Sequence, residues 1–295
     1  MSPPQSPIGI ARSIRGLRAR VDGWRQEGRR IALIPTMGAL HAGHVSLVKL
    51  GARLADRTVA SIFVNPKQFA ASEDLSTYPR QEAADIAMLE AAGCSLAYCP
   101  PPEEMYPAGF ATAVTVGGPA EGLESGPRPH FFGGVATVVL KLLNQCRPDV
   151  AVFGEKDYQQ LQVVRRLARD LDLGIEIVGG PTLREADGLA MSSRNVYLST
   201  EDRAVAGRLN GVLRETADAI LSGVRVDAAL AEGRRRIEAT GFQRIDYLEA
   251  RDSETLAALD PGPLADGASA RLLVAVLCGS TRLIDNWPIE RKAAG

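Results

Sequence analysis

Histidine is scarce in this chain. There are three in 295 residues, and two of them, His41 and His44, fall at one place. Cysteine is nearly as rare: Cys94, Cys99, Cys146 and Cys278 are the only four. None forms a Cys-x-x-Cys pair, and all lie among apolar neighbours. That argues against a disulfide framework and reads as buried free thiols in a reducing compartment. No sign of charge dominates. Lys plus Arg number 34 against 35 Asp plus Glu, so no global field draws the chain to nucleic acid or to an anionic membrane. No apolar run approaches the length of a membrane span, and the N-terminus has no apolar leader core, so a cytoplasmic protein is expected. Gly-x-x-x-x-Gly-Lys-Ser/Thr, Gly-x-Gly-x-x-Gly and Gly-x-Ser-x-Gly are all missing, which leaves P-loop, dinucleotide and serine-hydrolase readings without support.

The stretch around which the chain is organised runs from Ile31 to Val45. Ile31–Ile34 is a short apolar run that predicts a buried parallel strand. Gly38 and Gly43 permit a tight turn and close approach to a ligand. Val45, Val48 and Ala52 then follow at helical spacing, with a helix from about His44. Strand, glycine-containing turn and helix in this order is where an α/β sheet holds a nucleotide, with the first helical N–H groups favouring a phosphate. His41 and His44 sit at that junction, where donor imidazoles suit charge developing on a phosphoryl group. The plainer alternative is that one of them caps the helix and the other is exposed. A metal site would need a third ligand, and the neighbourhood offers none.

Apolar runs and helical faces alternate from there. Ile10, Ile14, Leu17, Val21 and Trp24 predict an amphipathic first helix. Thr58–Val64 predicts a second buried strand ending in Asn65-Pro66-Lys67-Gln68-Phe69. A helix over 81–92 and a strand at Ser95–Cys99 come next. Residues 100–133 are rich in Pro and Gly, with a possible strand at Ala113–Val116. Gly134–Cys146 predicts a helix, Asp149–Phe153 a strand, Tyr158–Leu171 a helix and Ile175–Val178 a strand. The alternation predicts a Rossmann-like, doubly wound parallel sheet over residues 1–183. From 184 to 295 the composition changes to a smaller α+β domain, with helices over Thr200–Leu221 and Val226–Thr240 and strands at Ile245–Ala250 and Arg271–Cys278.

Polar clusters stand at the ends of these elements: His41/His44, Asn65/Gln68, Lys156/Asp157/Gln160 and Ser192/Ser193/Arg194. The first three follow strands of one sheet, so they are expected at one edge of it. The fourth, near the domain boundary, is positioned to fold over them. Lys156 and Arg194 supply positive charge for phosphates. Asp157, and more remotely Asp85, offer carboxylates for Mg²⁺ bridging phosphate oxygens. Gln68 and Gln160 are neutral and two-sided, suited to a substrate with hydroxyls or an amide. A plain nucleotidyltransferase and a non-catalytic nucleotide-binding protein remain as alternatives on these residues.

Pro35-Thr36-Met37-Gly38-Ala39-Leu40-His41-Ala42-Gly43-His44 resembles the His-x-Gly-His signature of the nucleotidyltransferase superfamily in its pantothenate synthetase form. The resemblance continues over nearly the whole chain, through Asn65-Pro-x-Gln-Phe69, Tyr78-Pro-Arg80, Gly154-Glu-Lys-Asp-Tyr-Gln-Gln-Leu161, Arg184–Asn195 and Leu283-Ile-Asp-Asn286. It implies a ligase that joins pantoate to β-alanine with ATP and Mg²⁺ through an acyl adenylate, in a homodimer. It implies an ATP site over Pro35–His44, with His44 as proton donor and His41 at the phosphates. Gly154, Glu155, Lys156, Asp157 and Leu183 fall at the nucleotide, with Lys156 on phosphate. Gln68 and Gln160 fall at pantoate. Met191, Ser192, Ser193 and Arg194 form a segment that closes over the triphosphate. One departure stands out: the family's Arg-Pro-Gly-His-Phe reads Arg128-Pro-His-Phe-Phe here. The imidazole is thereby moved to His130, and Phe131 stands where the family has His. No role is carried onto His130.

Overall fold

The computed structural model describes residues 8–69, 75–76 and 78–290. It divides into two compact units. One runs through Glu155 and again over Val163–Pro181; the other takes Lys156–Gln162 and everything from Thr182. The chain passes between the units three times, the last between Pro181 and Thr182, two residues from the boundary expected after 183.

The first unit contains β1 (Gly9–Ala11), α1 (Ile14–Gln26), β2 (Ile31–Thr36), α2 (Ala42–Leu54), β3 (Arg57–Ile62), α3 (Glu82–Ala91), β4 (Leu96–Tyr98), α4 (Pro102–Met105), α5 (Phe131–Cys146), β5 (Val150–Gly154), the later part of α6 (Tyr158–Asp170), and β6 (Glu176–Gly180). All six strands are parallel, in the order β1-β4-β3-β2-β5-β6. Strand β2 is thus the point from which the order runs both ways. Its ladder with β5 holds only at Ala32–Val150 and Leu33–Ala151, although both strands continue for three more residues to Thr36 and Gly154. The two strands part at their carboxyl ends, and Pro35 has no N–H to extend the pairing. That opening is the switch-point crevice in which doubly wound sheets bind ligands.

Local chemistry explains most boundaries. Helix α1 starts at Ile14 because the Ser13 hydroxyl accepts the Gly16 N–H at 3.1 Å. Ile10, counted above in its apolar stripe, belongs instead to the edge strand β1 and is exposed. Ala113–Val116 forms no strand. Val114 N–H donates to the Thr137 side chain at 3.1 Å rather than to a neighbouring strand. The four thiols are free and buried. Burial pushes Cys99 to about 11 and Cys146 to about 12, which keeps both protonated and inert at neutral pH.

The second unit packs α7 (Thr200–Ala206), α8 (Leu209–Leu221) and α9 (Val226–Thr240) with an antiparallel sheet β7-β8-β9, where β7 is Arg244–Asp252, β8 Ala270–Cys278 and β9 Thr281–Ile289. Its core includes Leu213, Ile220, Ile237, Leu248, Leu272 and Val274. The one helix expected over 200–221 is two, with a turn at Gly207 and Arg208 between them. Strand β9 follows β8 through the two-residue turn Gly279–Ser280, with Cys278 paired to Thr281. Gly279 takes φ +58°, which a glycine adopts without strain.

Candidate functional site

The turn after β2 is held from a distance. Gly38 and Ala39 both have positive φ, +80° and +50°. For Ala39 this is an uncommon and strained conformation. It is stabilised by Asp85, 1% exposed on α3, whose two oxygens accept the N–H groups of Ala39 at 3.0 Å and Leu40 at 2.8 Å. The carboxylate offered above to Mg²⁺ is thus engaged by the turn, one N–H on each oxygen. Thr36 adds a second brace: its hydroxyl donates to Ser61 O at 2.6 Å and accepts from Gly38 N–H at 3.3 Å.

His41 is the N-cap of α2. Its Nδ1 accepts the Gly43 N–H at 3.1 Å, and the Nδ1 of His44 accepts the His41 N–H at 3.3 Å. The ring centroids are 4.1 Å apart. His41 caps the helix, as the plainer alternative has it, but His44 takes part in the cap and is not exposed. A nitrogen that accepts a backbone N–H carries no proton, so in each neutral ring the proton resides on Nε2. Both imidazoles are half-buried and fixed by the backbone as Nε2–H donors.

At the end of β3, Asn65 and Gln68 are 1% and 7% exposed. Asn65 Nδ2 donates to Gln68 Oε1 at 2.9 Å and to Gly134 O at 3.1 Å. Its Oδ1 accepts from Lys67 N–H at 3.3 Å and from the Tyr106 hydroxyl at 2.8 Å. Gln68 Oε1 is thus engaged within this corner, and its NH₂ group can only donate. Burial pushes the Tyr106 phenol up to about 12, so it stays a donor at neutral pH. In the departing 128–135 stretch, His130 is exposed. Arg128 lies 3.9 Å over the Phe131 ring centroid and donates to Gln68 O at 2.9 Å. The ring that replaces the expected imidazole supports the guanidinium that holds the Gln68 backbone.

A close approach locks this corner. A Cβ on Gly134 would overlap the Lys67 carbonyl. Gly134→Ala is accordingly expected to lose about 1–3 kcal/mol in urea unfolding as α5 and the 66–68 turn are forced apart. An unchanged midpoint would show that this turn yields freely.

Other expected site residues belong to the second unit. Lys156 Nζ is 3.7 Å from Asp157 Oδ1, with the two side chains 21% and 48% exposed. Gln160 is half-buried on α6. Leu183 and Met191 are brought together by a hairpin: Met191 N–H donates to Leu183 O at 3.0 Å, and Glu185 N–H to Leu189 O at 2.8 Å. The Ser192 hydroxyl then caps a short turn by accepting Arg194 N–H at 3.2 Å. Asn195 pins the turn, donating to Glu185 Oε1 at 2.8 Å and Ala190 O at 3.1 Å. Gly154 and Glu155 end β5 in the first unit. Among the described residues no three His, Cys, Asp or Glu side chains gather to hold a metal. Sequence reasoning missed Tyr106 and Arg128 as supports, and it gave Leu283-Ile-Asp-Asn286 no role.

The family described as pantoate–beta-alanine ligase matches residues 9–288. The pantothenate synthetase of Rhodospirillum rubrum is 57% identical over 279 residues, 95% of this chain and 98% of that protein. The crystal structure of pantothenate synthetase from Thermus thermophilus superposes with a TM-score of 0.89 at 44% identity, covering 96% of this chain and all of the other. The pantoate–beta-alanine ligase of Francisella tularensis, solved with beta-gamma ATP and beta-alanine, has a TM-score of 0.78 at 33% identity, covering 95% and 97%.

Proposed function

This chain belongs to the pantoate–β-alanine ligase family, and from that premise we propose how its residues carry the reaction. It is a ligase of pantothenate biosynthesis, and ATP is its energy source. A carboxylate is unreactive toward an amine. In the first half-reaction a pantoate carboxylate oxygen attacks the α-phosphorus of ATP, the bond to the β-phosphate oxygen breaks, and pyrophosphate leaves. In the second, the β-alanine amine attacks the acyl carbon of the adenylate, loses a proton, and AMP departs with the electron pair of the acyl–oxygen bond.

The observation that carries this reading is the paired His41/His44 cap, which presents two Nε2–H donors at the carboxyl end of β2. Donors fixed before the reaction stabilise charge as it develops on the phosphoryl oxygens. His44 gives a hydrogen bond or proton there, and His41 assists. By the family resemblance the remaining residues of 35–44 contact the nucleotide, as do Gly154, Glu155, Asp157 and Leu183. Lys156 neutralises the departing pyrophosphate, and Arg194, with Met191–Ser193, covers the triphosphate and excludes water from the adenylate. Gln68 gives its NH₂ to an oxygen of pantoate, and Gln160 holds the same substrate.

Mg²⁺ fits as an ion carried by the triphosphate. Mg²⁺ is commonly held by one or two carboxylates together with substrate phosphates, and Asp157 is the half-exposed carboxylate beside Lys156. Bound there, it would neutralise phosphate charge. The four buried free thiols suit a reducing cytoplasm, and the family resemblance supports a homodimer. Among the described residues no helix is long and apolar enough to cross a membrane.

Pyrophosphate–ATP exchange with pantoate and Mg²⁺, omitting β-alanine, tests the reading. Exchange that depends on pantoate is the expected result. Confirmed ATP binding without exchange would overturn the adenylation step.

A further inference from the structure

The Leu283-Ile-Asp-Asn286 segment lies on β9, and Asn286 is 2% exposed. Its side chain is engaged at both ends. Nδ2 donates to the Lys156 carbonyl at 2.9 Å, and Oδ1 accepts from Arg271 Nε at 2.7 Å. Its N–H donates to Asp285 Oδ1 at 2.7 Å, and its own carbonyl accepts Arg184 Nη2 at 3.3 Å. Arg184 opens the hairpin that leads to Met191–Arg194. It makes a two-pronged pair with Asp285 at 2.7 and 2.9 Å and donates to Gly188 O at 3.0 Å. On the other side, Arg271 stacks 4.1 Å over the Tyr158 ring. The Tyr158 hydroxyl and Gln162 Nε2 both donate to Ser253 O at 2.9 Å. Two segments of the chain thus meet at one asparagine: the turn bearing Lys156 and the base of the hairpin before Ser192.

We propose that Asn286 is a positioning residue for the adenylation half-reaction: its amide, tied to the Lys156 carbonyl, fixes the Lys156 ammonium relative to the Arg184 hairpin. The proposal rests on the role of Lys156 given above. The chemistry is specific. An amide offers a donor to a carbonyl and an acceptor to a guanidinium from two separate atoms of one short side chain. An aspartate keeps the acceptor for Arg271, with charge added, but turns an oxygen toward the Lys156 carbonyl. The turn is then released while the β8–β9 sheet and its arginines retain an acceptor at this position.

Asn286→Asp is expected to slow pantoate-dependent pyrophosphate–ATP exchange by tenfold or more, as small misplacements of a charged group commonly do on the order of 10²-fold. Aminolysis of chemically supplied pantoyl adenylate by β-alanine, in which no pyrophosphate leaves, is expected to change by less than about threefold. In a Lys156→Ala background the same substitution is expected to add almost nothing, because two residues acting as a unit do not add. Equal losses in both half-reactions, multiplying effects with Lys156→Ala, or unchanged exchange would each overturn the proposal. Should Asn286→Asp give no folded protein, Asn286→Ser, too short to reach the carbonyl, is read by the same assays. Wild-type exchange is measured first; its absence would overturn the underlying reading of Lys156 and not the tether alone.

Discussion

His44→Ala is expected to lower the rate of pantothenate formation by about 10²–10⁴-fold, the range typical of losing a positioned acid or charge-stabilising donor. The structure also gives His44 a second duty, because its Nδ1 accepts the His41 N–H at 3.3 Å. Removing the ring therefore costs part of the α2 cap, about 0.5–2 kcal/mol by analogy with other caps. His44→Asn separates the two duties. The asparagine Oδ1 falls near the place of Nδ1 and accepts the same N–H, yet nothing replaces Nε2. Unfolding by urea should be close to wild type for His44→Asn and turnover as low as for alanine. An asparagine variant that turns over at the wild-type rate would remove His44 from the chemistry.

Asp285→Ala should be the most damaging change to stability, at about 3–5 kcal/mol. Asp285 is 3% exposed and Arg184 18%, and the contact is two-pronged at 2.7 and 2.9 Å. Alanine leaves a largely buried guanidinium without its counter-charge and takes the acceptor from the Asn286 N–H. Asp285→Asn, which keeps an oxygen, should lose less. The chain has two tryptophans. Trp287 stands 5.3 Å from the Arg184 guanidinium, so its fluorescence in a Trp24→Phe background reports on this unit during urea unfolding. A loss below about 1 kcal/mol, the level of an exposed pair, would show that the contact is not a source of stability.

These two residues also show how unevenly the sequence discloses its meaning. His44 was legible at once, because strand, turn and helix start are written within some fifteen consecutive residues and each follows from local chemistry. Gln68 was legible as a polar residue just past a strand end. Which of its atoms the fold engages was not, since that depends on Asn65, Tyr106 and Gly134, the last from a helix more than sixty positions on. The anchoring contacts of Asp85 were hidden for the same reason. A lone carboxylate on a helix says nothing of the two N–H groups, 46 and 45 residues earlier, that it accepts. The strand β9 was missed although Gly279-Ser280 marks its turn.

By itself the sequence determined the alternation of buried strands and helices, and the parallel sheet that follows from it. It also determined the placing of the histidines at a helix start and of the glutamines and lysine beyond strand ends, along with the inertness of the thiols. These follow from backbone preferences and apolar spacing, which act over a few residues. Tertiary structure alone decided the parting of β2 from β5, the strain of Ala39 against Asp85, and the tautomers set by backbone donors. It also decided the assignment of Lys156–Gln162 to the second unit and the tether from Asn286 to a carbonyl 130 residues away. The reason is that a buried polar group must be satisfied by whichever partner the fold brings within about 3 Å, and no local rule names that partner.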